Sequence, residues 1–95
     1  MNEPLKAAIA AAVETDGLFR IATEVAKTVQ ARHEALRAQR IAGIHQVGLE
    51  RAIKFARYAE EVAWDARRVA YAAMSEATDE AYRCGARYED FVEAA

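Results

Sequence analysis

Alanine recurs along the second half of the chain at alternating steps of four and three residues. The members of this series, called the alanine seam, are Ala52, Ala56, Ala59, Ala63, Ala66, Ala70, Ala73 and Ala77. This is the heptad spacing that returns to one side of a helix, and small side chains there let a second helix approach to roughly 8 Å. The seam therefore predicts a long helix in close contact with another helix, and we expect it to mediate self-association.

The composition favours an all-α fold with a small core. Of the 95 residues, 24 are alanine, four are glycine and one is proline, so strong helix formers dominate and helix breakers are few. A buried alanine methyl contributes much less than the roughly 1.5–3 kcal/mol of a buried leucine or valine. We therefore expect one helical domain over residues 1–95, completed by homo-oligomerisation, with a dimer as the favoured state.

The first half of the chain predicts two helices. Residues Thr15–Gly17 combine possible capping side chains with a glycine, so they are expected to end a short first helix of about 3–15. A second helix is expected over about 18–42, with Gly43 as its stop. The second and third helices then form an antiparallel hairpin around this turn.

The third helix is expected to cover about 48–93, because the heptad phase continues past the seam as far as Phe91. Possible capping side chains at Ser75 and in the run 78–80, together with Gly85 in the helix interior, leave a second arrangement open. A break near 75–79 would produce a compact four-helix bundle, whereas the unbroken helix would need another chain to cover its far end.

Three aromatic residues, Trp64, Tyr71 and Tyr82, return to one face of the third helix at some distance from the seam. One interpretation is that they pack beneath the first helix of the same chain. The other is that they form a partner surface, since tryptophan and tyrosine are typical interface anchors. Together with the seam they predict a non-enzymatic protein–protein interaction module that self-associates and binds or blocks a partner protein.

Charge is distributed unevenly, although the net charge is only −2. Residues 27–57 carry +5 and residues 58–95 carry −5. A candidate basic patch near the predicted turn comprises Arg37, Arg40, Arg51 and Lys54. Such a patch could contact phosphates, so a nucleic-acid-binding accessory protein is the alternative function. The acidic residues of the third helix could instead pair with it from a second subunit.

No residue pattern predicts catalysis, a metal site or a cofactor. Neither His33 nor His45 has a glutamate three residues before it, as a helical di-metal site requires, and no phosphate-binding loop or nucleophile motif is present. Cys84 is the lone cysteine, which suits a reducing cytoplasm. Uncharged runs are too short for a membrane span, so we expect a cytoplasmic protein without membrane contact.

Size and hairpin topology resemble the small helical proteins secreted by type VII export. That family has a Trp-x-Gly motif at the turn, where this chain has Ile41-Ala42-Gly43. Its C-terminal signal places an acidic residue four positions after a tyrosine, whereas Tyr82 is followed at that distance by Ala86. The resemblance is limited to size and topology, and no family assignment is made from it.

Overall fold

The computed structural model describes residues 2–95 and confirms an all-α fold. Three helices are present, α1 (Glu3–Ile41), α2 (Leu49–Arg83) and α3 (Tyr88–Ala94), with no strand in the described part of the chain. The helices α1 and α2 pack against each other. None of the described helices is long and apolar enough to cross a membrane.

The predicted break at Gly17 is absent, because α1 runs unbroken through it. The two side chains that suggested a cap support the helix instead. The Thr15 hydroxyl donates to the carbonyl oxygen of Ala11 at 2.8 Å, and Asp16 forms an ion pair with Arg20 one turn later at 2.9 Å. Gly17 itself has no positive φ angle, so the first two predicted helices are one helix.

The third predicted helix ends about ten residues early, and its break lies at Gly85 rather than near 75–79. Gly85 has a φ angle of 100°, which is the left-handed conformation that glycine adopts readily after a helix. Its N–H donates to the carbonyl oxygen of Tyr82 at 3.0 Å. The next N–H, of Ala86, reaches back to Ala81 at 3.0 Å, which completes a Schellman motif.

Glycine ends α1 in the same way. Gly43, with a φ angle of 78°, donates to the carbonyl oxygen of Arg40 at 3.1 Å, and the N–H of Ile44 reaches Gln39 at 3.0 Å. These bonds satisfy carbonyl groups that the last helical turn leaves without partners. The chain can therefore turn within seven residues and enter α2 at Leu49.

By its internal contacts the chain forms two units. In the unit of residues 22–67, earlier residues of α1 contact later residues of α2. Arg40 pairs with Glu50 at 3.4 Å, and the Nδ1 atom of His33 lies 2.5 Å from a Glu60 carboxylate oxygen. Further from the turn, Arg67 donates to the Thr23 hydroxyl at 2.9 Å. The two helices are therefore antiparallel here.

The other unit contains residues 2–21 and 68–95. Its buried cluster comprises Ile9 and Ala12 of α1, Ala81 of α2 and Ala86 of the loop before α3. Phe91 is the contact that α3 makes with this cluster, and its ring meets Tyr82 edge-on at 5.2 Å. No residue of α3 is itself buried, so this helix lies on the surface of its unit.

Candidate protein-interaction surface

The structure divides the alanine seam between two sides of α2. Ala56 and Ala63 are buried, with 6% and 8% of their surface exposed, and Ala52, Ala70 and Ala77 are half-buried. The remaining seam residues, Ala59, Ala66 and Ala73, are exposed. The inner alanines are therefore used within the chain, and the outer ones belong to a different surface.

The exposed alanines alternate with large apolar residues along α2. This surface, called the outer stripe, comprises Phe55, Ala59, Val62, Ala66, Val69 and Ala73. Its members are spaced by four and three residues in turn, so they share one side of the helix. Phe55 and Val69 are each 71% exposed and Val62 is 49% exposed. Apolar contact surface thus extends over about five helical turns.

The two ends of the outer stripe carry opposite charges. Arg51 precedes the stripe on the same side of α2, whereas Glu76 and Glu80 continue its heptad spacing, and all three are exposed. Arg83 lies 2.6 Å from a Glu80 oxygen. Its hydrogen bond and its positive charge lower the pKa of Glu80 below the usual range. The stripe therefore has a basic end and an acidic end.

The three predicted aromatic residues are in contact with their own chain but retain exposed surface. The guanidinium carbon of Arg67 lies over the Trp64 ring, 5.4 Å from the centre of that ring. Tyr71 meets Phe19 of α1 edge-on at 5.4 Å, and Tyr82 meets α3 as described above. Tyr71 and Tyr82 remain about half exposed. These rings therefore contact residues of their own units and also leave part of their surface exposed.

The predicted basic patch lies in the unit that contains the turn. Arg37, Arg40, Arg51 and Lys54 are all exposed. One of them is engaged within the chain, since Arg40 lies 3.4 Å from Glu50. This ion pair partly neutralises the patch, which leaves the other three side chains as its main positive charges.

The side chains that could ligate a metal ion are scattered over residues 2–95. No three His, Cys, Asp or Glu side chains lie close enough to hold a metal ion among these residues. A cleft of about 330 Å³ lies beside α3 and has Phe91, Tyr88 and Val13 among its lining. Its charged residues Asp16 and Arg20 pair with each other, so they do not converge on a ligand.

Sequence reasoning missed the pairing of His33 with Glu60. His33 is buried, and Glu60 is half-buried beside it in the α1–α2 contact. Heptad spacing places Ile53, Ala56, Glu60 and Ala63 on one side of α2. This pattern predicts that Glu60 lies on the same side as the apolar residues that face α1. The same spacing, read one residue earlier, identifies the outer stripe.

Comparisons with protein-family models, with curated proteins and with solved structures find no match for this chain. By its fold the chain is an all-α protein, in which two long helices pack together and a short third helix follows.

Proposed function

We propose that this chain is a non-enzymatic protein–protein interaction module that acts by occupying the surface of a partner. The observation that carries the proposal is the outer stripe, with Phe55, Val62 and Val69 all exposed on one side of α2. Monomeric proteins rarely leave a large contiguous apolar surface open, and such surfaces commonly mark binding sites. The module self-associates through this face, or uses it to hold or block another protein.

In this proposal the alanine seam has two separate roles. Its inner members, Ala56 and Ala63, hold the chain's own two long helices together. Its outer members, Ala59, Ala66 and Ala73, allow a partner helix to approach the stripe closely, because a methyl group projects little from the helix. We place the protein in the cytoplasm, where its lone Cys84 stays reduced.

Site-specific photo-cross-linking tests the proposal without assuming which partner binds. A photoreactive amino acid replaces Val62 on the stripe, and in a matched control it replaces Arg57, which is exposed on another side of α2 in the same unit. We expect a discrete protein adduct from position 62 that is lost on adding Phe55→Asp. Equal labelling from both positions, or no adduct from position 62, would contradict the proposal.

The basic patch supports a second candidate, a nucleic-acid-binding accessory protein. The supporting observation is that Arg37, Arg51 and Lys54 are exposed in the same unit. Binding through these residues should weaken steeply with added salt, because each phosphate contact releases counterions. A salt titration with generic duplex DNA measures this, with Arg51→Ala/Lys54→Ala as the control. Absence of binding at low salt would eliminate this candidate.

A further inference from the structure

We propose that the occupant of the outer stripe is the outer stripe of a second copy, bound antiparallel about a two-fold axis near residue 64. This inference rests on the proposed function, because it names the partner of the same surface. Two independent properties of α2 support it, which are the order of large and small side chains and the order of charges. Each property distinguishes this arrangement from the alternatives.

Large and small residues alternate along the stripe without interruption. Phe55, Val62 and Val69 are the large members, and an alanine follows each of them four residues later. In the antiparallel arrangement, Phe55 faces Ala73 of the second copy. By the same symmetry Val62 faces Ala66, and Val69 faces Ala59. Every large side chain thus meets a methyl group, which is the condition for knobs to enter holes at a close helix separation.

A parallel pair would lose this match. Phe55 would face Phe55 and Ala59 would face Ala59, so that bulky pairs would alternate with gaps. Core contacts of that kind combine overpacking with empty space, and both are unfavourable. Like charges would also meet, because Arg51 would face Arg51 and Glu76 would face Glu76.

The charges favour the same antiparallel register. Arg51 at one end of the stripe falls opposite the acidic end of the second copy, within one helical turn of both Glu76 and Glu80. Glu80 already pairs with Arg83, so Glu76 is the main partner. Sliding one copy by a heptad in either direction would move Arg51 more than one helical turn away from Glu76. Asp65 lies near the axis and opposes its symmetry mate, which weakens the dimer without changing its direction.

Disulfide trapping tests the direction and the register. In a Cys84→Ala background, one protein carries Ala59→Cys and a second protein, distinguishable by mass, carries Val69→Cys. On mild oxidation of the mixture, we expect the mixed disulfide to predominate over both homodimers. A parallel arrangement would give the two homodimers instead. A register shifted by one heptad would give a mixed disulfide in a second mixture, of Ala59→Cys with Val62→Cys or with Glu76→Cys according to the direction of the shift. Either result would overturn the proposal.

An exchange of side-chain sizes tests the packing. Ala73→Phe alone places two phenylalanines opposite each other at both ends of the interface, and we expect dimer dissociation to become easier by about tenfold or more. Adding Phe55→Ala restores a large residue opposite a small one, so Phe55→Ala/Ala73→Phe should recover affinity. Both positions are exposed in the single chain, and circular dichroism checks that the fold is kept. Failure of the double variant to recover affinity would contradict the packing scheme.

The outcomes separate this inference from the function on which it rests. If the purified chain stays monomeric while position 62 still forms a discrete adduct with a different protein, the second copy is wrong and the interaction module stands. If position 62 forms no adduct and the chain is monomeric, both fail. A purified dimer with the mixed disulfide supports both.

Discussion

At the scale of single residues, His33 and Glu60 form a polar pair inside a contact that is otherwise largely apolar. The Nδ1 atom of His33 lies 2.5 Å from a Glu60 oxygen, and His33 is 8% exposed. A pair of this kind makes only one alignment of the two helices favourable, since any shift leaves a buried polar group without a partner. We therefore expect it to fix how α1 and α2 align.

Replacing one member of this pair should cost more than replacing both. Glu60→Leu leaves His33 buried without its partner, which we expect to lower the free energy of unfolding by about 1–3 kcal/mol. His33→Leu/Glu60→Leu removes both polar groups and should recover much of that loss. Urea denaturation of the four proteins of this double-mutant cycle measures the coupling. Additive effects would show that the two side chains do not interact.

The glycines at positions 17 and 85 should respond oppositely to alanine. Neither has a neighbouring atom that an added Cβ would meet, so backbone conformation decides. Gly17→Ala lies inside α1 and should stabilise the chain by about 0.4–1 kcal/mol. Gly85→Ala would place a side chain at a φ angle of 100°, which should destabilise it by about 1–2 kcal/mol. Denaturation midpoints measure both, and a destabilising Gly17→Ala would argue for a break in α1.

The pKa of Glu80 depends on Arg83. Because the folded-state pKa of Glu80 is lowered, the pair stabilises the fold above the unfolded-state pKa of this carboxyl group, and that contribution is lost as the pH falls through the folded-state value. We expect Arg83→Met to raise the pKa of Glu80 toward its usual range. Titration by NMR of the Glu80 side-chain carboxyl carbon measures the shift, and an unchanged pKa would show that the pair does not form in solution.

At the scale of helices, α2 has two apolar sides with different uses. Its inner side includes Ala56 and Ala63 and packs against α1, whereas its outer stripe has no cover within the described chain. This division predicts that the same substitution has different effects at two positions of α2 only three residues apart, because the two positions lie on different sides of the helix.

Ala63→Leu and Ala66→Leu form a matched pair for this prediction. Ala63 is buried and Ala66 is exposed. Ala63→Leu should overpack the α1–α2 contact and reduce the free energy of unfolding by about 1–3 kcal/mol. Ala66→Leu adds its bulk on the open side, so it should leave the stability of the single chain nearly unchanged. Denaturation at low protein concentration measures both, and equal losses would mean that the outer stripe is not open.

The helix type and the glycine turn could be predicted from the sequence, because alanine content and Gly43 act locally. The continuity of α1 could not, since Thr15 and Asp16 have the same capping potential whether they end a helix or bond back within it. The break at Gly85 was not predicted, because the heptad spacing of apolar residues continues beyond it and indicated an unbroken helix. A phase describes which residues share a side, not whether the backbone continues.

The candidate surface was only partly predictable for a related reason. Eight alanines marked the correct helix, but alanine fits equally well at a close internal contact and on an exposed side. Only the structure of α1 decides which members of the seam are covered. The large residues Phe55, Val62 and Val69 are the better indicator, because their exposure, unlike that of alanine, is unfavourable unless a partner covers them.

At the scale of the whole molecule, we propose that the single chain is one half of a helical assembly. The buried residues are few and mostly alanine, isoleucine or leucine, and the outer stripe adds apolar surface that the single chain leaves open. Covering it with a second copy would increase buried apolar area and so increase stability with protein concentration, as expected when association and folding are linked.

Sedimentation equilibrium over a range of concentrations tests the central claim most directly, with Val62→Glu as the comparison. Val62 is on the outer stripe and half exposed, so the substitution should leave the helical content of the chain intact while burying a charge in any complex. We predict that the wild-type chain approaches twice the mass of one chain as its concentration rises and that Val62→Glu stays at the mass of one chain. A wild-type chain that remains monomeric throughout, or a Val62→Glu variant that associates equally well, would contradict the account.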